Sequence, residues 1–221
     1  MRLTVILSIS LLAAFSAGAD PLDTVFARID AAAKSFKGMT ADISDTEYTA
    51  LVDEKDLQSG TMKLLRVKPD LTRLLVNLKG PGGSQIIALD GPEVRVYNPR
   101  TNVVDLYDFA SRQGVMNQFL LLGFGATSAE LKSTYDITFV GDEKIGAELT
   151  SHVKLVPKSP ETRRTLKQAD LWFAANGLVA QQKFLRTSGD YKLVTYSNLK
   201  TGALQEKDLE LKQKGATIQK H

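Results

Sequence analysis

Apolar and polar residues alternate with period two through most of this chain, and the pattern is clearest between Ser84 and Asp108. That stretch predicts three consecutive strands joined by two tight turns. Asp90-Gly91 sits between two apolar runs, and Gly accepts a positive φ at no steric cost, so the first connection predicts a hairpin. In the second strand Val94 and Val96 fall on one face, Arg95 and Tyr97 on the other, before Asn98-Pro99-Arg100-Thr101-Asn102 turns the chain again. Three strands are predicted ahead of these, at 39–51, 59–67 and 71–79, with Asp53-Glu54-Lys55-Asp56 as a solvated turn. Leu74, Val76 and Leu78 share a face opposite Arg73, Leu75 and Asn77, and Met62 and Leu64 share a face opposite Lys63. One wall of the sheet is greasier than the other. Five more strands are predicted at 137–143, 148–156, 166–174, 178–186 and 191–200, separated by Gly-containing turns and one Pro-led loop. The total is eleven, and connections this short permit only antiparallel pairing.

Two segments break the period. Leu22, Val25, Phe26, Ile29, Ala33 and Phe36 recur at spacings of three and four, one apolar stripe of a helix that Gly38 stops. Its other face carries Asp23, Arg28, Asp30, Lys34 and Lys37. Between Phe109 and Tyr135 an unusually apolar block, Val115, Met116, Phe119, Leu120, Leu122 and Phe124, is interrupted by Gly114, Gly123 and Gly125. A core helix with a glycine C-cap and a movable flap are both compatible with it. Ser128 is the expected N-cap of a short second helix that turns Leu131 and Tyr135 inward. The fold class is α+β, with helices packed on one face of a large antiparallel sheet that curls into a partial barrel.

The first nineteen residues stand apart. Arg2, an apolar run from Leu3 to Phe15 and Ala17-Gly18-Ala19 predict a secretory signal peptide cleaved after Ala19, leaving 20–221 as one domain. With no Cys in the chain there is no disulfide framework, and Asp20 stands where a lipoprotein would carry its lipidated Cys. A soluble, exported protein without a lipid anchor is expected. The net charge of +3, from 28 Lys and Arg against 25 Asp and Glu, gives no footprint for nucleic acid.

Candidate chemistry is sparse. Of two histidines, His221 is terminal and His152 reads as a solvent-facing strand residue, with no G-x-S-x-G elbow to make it part of a triad. Asp42 with Asp45, and Asp142 with Glu143, could serve a glycosidase, but a solvated strand edge or turn places charges there anyway. Gly80-Pro81-Gly82-Gly83 lacks the Lys-Ser/Thr of a phosphate-binding loop and reads as a turn. Lys154, Lys158, Arg163, Arg164 and Lys167 form either a solvated surface or a docking site for an acidic partner. No metal, cofactor or catalytic residue is expected. What remains is an apolar surplus inside a curved sheet, suited to binding something greasy. Strand parity and the helical stripe place Val25, Phe26, Ile29, Met62, Leu64, Leu74, Val76, Val94, Val96, Met116, Phe119, Leu120 and Phe124 around that cavity.

Phe36-Lys-Gly38, Gly60, Lys68-Pro69, Leu89-Asp-Gly91, Val94-Arg-Val-Tyr-Asn-Pro99, Leu120-Leu-Leu-Gly-Phe-Gly125 and Leu155-Val-Pro157 follow one another along the chain. In order and spacing, these short motifs resemble the LolA-like family of periplasmic outer-membrane lipoprotein carriers. The resemblance implies an eleven-stranded half-barrel, its concave face covered by helices, whose cavity holds the acyl chains of a lipoprotein. It further implies cargo received from an inner-membrane ATP-driven transporter and passed to an outer-membrane acceptor, by a monomer working in the periplasm. The family's lid latch is an Arg before the Pro; here that place is Lys68, which lacks the forked donors, and Arg66 offers them two residues earlier. The fold also serves a lipidated acceptor and the sensor domain of an envelope-stress regulator. A carrier or sensor of free lipids, and an enzyme acting on lipid or glycan, are the other readings.

Overall fold

The structure, a computed structural model, describes residues 20–69, 71–110, 122–202 and 204–221. The chain opens with α1 (Pro21–Ser35), where the Asp20 side chain accepts from the Leu22 amide and Pro21 takes the first turn. Six strands follow: β1 (Gly38–Thr49), β2 (Glu54–Lys68), β3 (Leu71–Gly80), β4 (Gly83–Asp90), β5 (Glu93–Asn98) and β6 (Val103–Asp108). A short helix, α2 (Ser128–Thr134), leads into β7 (Tyr135–Ile145) and β8 (Glu148–Pro157). One helical turn, α3 (Pro160–Arg163), precedes β9 (Leu166–Phe173), β10 (Val179–Arg186) and β11 (Tyr191–Thr201). The tail holds a 3-10 turn at Glu206–Leu209 and β12 (Thr217–Lys220).

The twelve strands among the described residues form one open, strongly curved sheet in the order β12-β6-β5-β4-β3-β2-β1-β11-β10-β9-β8-β7. Two antiparallel meanders, β1 to β6 and β7 to β11, join where β1 pairs with β11. The connection from β6 to β7 therefore links opposite halves of the sheet. Curling is helped at Gly60, where a Cβ would fall 1.7 Å from the Asn77 carbonyl oxygen, so only a bare Cα lets β2 and β3 approach so closely. α1 lies on the concave face and buries Val25, Phe26 and Ile29 in the main core. Arg28 of α1 also donates to Ser151 Oγ at 2.8 Å, tying the helix to β8. A smaller apolar cluster on the convex face packs Leu65, Leu75 and Ala88 under Leu209 of the tail.

The structure corrects the sequence reading in several places. A twelfth strand exists, β12, and it pairs parallel to β6; Thr217-Ile-Gln-Lys is too short and too exposed to show a period. The β1–β2 turn comes earlier than expected, with Asp53 at φ 51, while Glu54 to Asp56 already pair in β2. The N-cap of α2 is Thr127, whose capping box with Glu130 satisfies two backbone amides, rather than Ser128. Ser128 instead binds Asp30 of α1 through its amide and hydroxyl, both at 2.7 Å. His152 does not face solvent: its ring lies between Glu143 and Asp170, 3.0 Å from each, and stacks on Trp172. Asp42 and Asp45 lie on opposite faces, Asp42 exposed and Asp45 buried, so they form no carboxylate pair.

Candidate functional site

The concave face encloses a cavity of about 710 Å³, within the ordinary range for small-molecule sites. One wall is β2, β3 and β4. Because directly opposed residues of an antiparallel pair share a face, Leu64 against Leu74, Val76 against Met62 and Ile87 against Val76 put an apolar surface inward. The facing wall comes from β1, β10 and β11 through Ile43, Phe184, Val194 and Tyr196. The sheet's curl sets the two walls opposite each other.

Across this concavity runs the segment 122–126, held by two polar clamps. Gln182, buried in the wall, donates its Nε2 to the Leu122 carbonyl and takes the Tyr196 hydroxyl on its Oε1 at 2.7 Å. Arg66 donates to the Gly125 carbonyl at 2.5 Å and lies over the Phe36 ring. Between the clamps Phe124 is fully buried and meets Tyr196 edge-on at 4.9 Å. Both glycines are required here: Gly123 (φ +86) and Gly125 (φ +95) adopt the left-handed region, and Cβ atoms would meet Val179 at 2.4 Å and Arg66 at 2.6 Å. Ser128 on Asp30 fastens the far end to α1.

One end of the cavity is polar. Asp45, buried on β1, pairs with Lys192 of β11 at 2.6 Å, and Arg186, Thr165 and Gln182 complete that end. Burial first, and the Asp45 charge second, push the Tyr196 phenol above its ordinary range.

Of the residues chosen from sequence, Met62, Leu64, Leu74, Val76 and Phe124 line the cavity. Val25, Phe26 and Ile29 do not; they are buried in the core beneath α1. Val94 and Val96 are half-buried and oppose Leu89 and Ile87, the latter a cavity residue, but do not reach the cavity themselves. Met116, Phe119 and Leu120 lie outside the described residues, as does most of the block read as core helix or flap. Arg66 holds the strap, whereas the Lys68 side chain is exposed and makes no hydrogen bond or ion pair among the described residues. The β10–β11 wall and the polar end are not legible in the sequence. Phe184, Val194 and Tyr196 do alternate, but Gln182 and Lys192 on the same face mask the pattern.

The fold and this site define a class: an open half-barrel whose inner surface is a strapped, largely apolar binding cavity. Residues 34–210 match the model of the family described as outer membrane lipoprotein carrier protein LolA, and the chain belongs to that family, whose members are carrier or binding proteins rather than enzymes. Among solved structures, an uncharacterized conserved protein from Thermus thermophilus is 13% identical, with 91% of this chain and 100% of that one covered and a TM-score of 0.56. MucB is 15% identical, with 89% of this chain but 64% of that one covered and a TM-score of 0.50. At such identities the likeness is one of fold. Among curated proteins none matches this sequence. No helix among the described residues is long and apolar enough to cross a membrane.

Proposed function

We propose that this chain is a periplasmic carrier that takes the acyl chains of lipoproteins into its concave cavity and shuttles them from the inner to the outer membrane. The observation that carries the reading is a cavity of about 710 Å³ walled by aliphatic side chains, in a member of the lipoprotein-carrier family. Each buried methylene is worth about 0.8 kcal/mol, so a chain of roughly a dozen represents ~10 kcal/mol that water would oppose. Such a cavity must also let go. The Gln182 and Arg66 clamps supply the means, because a strap that must be lifted lowers net affinity by its opening free energy. In this reading residues 1–19 direct export and are removed, an ATP-driven transporter supplies the energy of membrane extraction, and an outer-membrane acceptor takes the cargo.

The test adds the purified protein, residues 20–221, to spheroplasts of a bacterium expressing a labelled outer-membrane lipoprotein. Release of the label into the supernatant as a complex with the protein is expected. Retention of the label on the membrane, with phospholipid alone recovered on the protein, would replace this reading with that of a free-lipid carrier.

A further inference from the structure

The polar end of the cavity holds a group that the apolar walls do not explain. Asp45 has a side chain only 6% exposed, and its Oδ2 accepts from Lys192 at 2.6 Å. Its other oxygen, Oδ1, is buried and has no hydrogen-bond partner. A buried carboxylate oxygen without a donor is costly, and this one belongs to a residue lining the binding cavity. Around it stand Lys192, Arg186, the exposed Thr165 and the Gln182–Tyr196 pair. The end is the cavity's mouth: Arg186 is half exposed and reaches Glu47 at 3.4 Å.

Taking the carrier reading as its basis, we infer that the cavity grips its ligand by the neck as well as by the chain. The Asp45 carboxylate accepts a hydrogen bond from a neutral N–H or O–H donor placed beside the first carbonyl of an acyl chain. Neutrality follows from the charges: Lys192 already compensates Asp45, and a further cation would sit against both Lys192 and Arg186. The same two cations face the carbonyl or ester oxygens of that neck, while the chain runs inward past Met62, Val76 and Ile87. The chemistry belongs to an N-acyl amide, as at an N-acylated amino terminus, and to the free hydroxyl of a partial glyceride.

Two probes, one with an amide hydrogen and one with a methyl in its place, test this on the intact chain. N-methyldodecanamide and N,N-dimethyldodecanamide share chain and carbonyl, but only the first has an N–H. Both are titrated against a fluorescent naphthylamine bound in the cavity. The N–H probe should displace it with about tenfold or greater advantage, the span of a hydrogen bond to a charged group. In Asp45→Asn, Lys192 retains the carbonyl oxygen and an NH₂ replaces Oδ1, so the advantage should fall to one. An N-acylated lipopeptide and monododecanoylglycerol, each compared between wild type and Asp45→Asn, then separate the two sources of this chemistry. Equal displacement by the two amides on the wild-type protein would overturn the inference while leaving the carrier reading intact, and needs no variant to fold. Failure of every twelve-carbon probe to displace the dye would overturn both.

Discussion

Val76→Glu is the most informative single change at the cavity wall. Val76 is 8% exposed, opposes Met62 on one side and Ile87 on the other, and lines the cavity. In the empty protein an introduced carboxylate can be hydrated by water in the cavity, so the fold should persist. In the loaded protein it must lie among methylenes. If it stays charged, the ligand forfeits contact with at least three methylenes, about 2.5 kcal/mol, before any desolvation cost. Protonation sets the ceiling: neutralising a carboxyl of ordinary pKa at pH 7 costs ~3.7 kcal/mol. Binding should therefore weaken by roughly 70- to 500-fold at pH 7. Protonation costs below about 1 kcal/mol at pH 4.5, so most of the deficit should disappear there. The assay is displacement of an uncharged fluorophore by monododecanoylglycerol at both pH values, with circular dichroism to verify folding. Asn77→Glu, one residue along and on the opposite face, is the control and should bind like wild type. Wild-type affinity in a folded Val76→Glu protein, or an equal loss in Asn77→Glu, would refute the inward parity of β3.

Two further predictions concern the strap and the buried phenol. Gly123→Ala forces a Cβ to within 2.4 Å of Val179 at a φ of +86, and should lower stability in urea titrations by about 1–3 kcal/mol; an unchanged midpoint would show that the strap is not seated as described. The Tyr196 phenol is held above its ordinary value of 10.0 by burial. The folded form thus keeps its proton where the unfolded chain loses it, so the phenol's own contribution to stability is full below pH 10 and falls above it by about 1.4 kcal/mol per pH unit. Tyr196→Phe should remove that contribution, leaving those of Tyr135, which burial also raises, and Tyr48, raised by its hydrogen bond to Asp53; an identical alkaline slope in the variant would contradict the assignment.

Much of this architecture is legible in the sequence because the sheet has two unlike sides. At Met62 and Leu64, and at Leu74, Val76 and Leu78, the neighbours Lys63, Arg73 and Asn77 mark the outer face, while Leu65 and Leu75 on that face are apolar because the tail covers them. The opposite wall is not legible for a physical reason. Gln182 and Lys192 point inward because partners distant in sequence satisfy them, Leu122 for the first and Asp45 for the second. A single strand read alone cannot reveal such a partner. Burial of Asp45 is hidden likewise, since its cation lies 147 positions away. The helical stripe of α1 shows that Val25, Phe26 and Ile29 are buried but not whether they face a cavity or fill a core; they fill the core. His152 needs Glu143 and Asp170 from two neighbouring strands before its position makes sense. The capping box was present in Thr127 and Glu130, three residues apart, but the adjacent Ser128 competes as a cap.

The carrier account rests on acylated cargo occupying the concave face. Its most direct test replaces Met62 with a photo-crosslinking phenylalanine in the protein expressed by an exporting host, with Asn77 as the outward-facing control site. After irradiation, intact-mass and fragment analysis of the adducts should show acylated lipoprotein joined at position 62 and none at position 77. Adducts free of acyl chains at position 62, or the same acylated adducts from both positions, would contradict it.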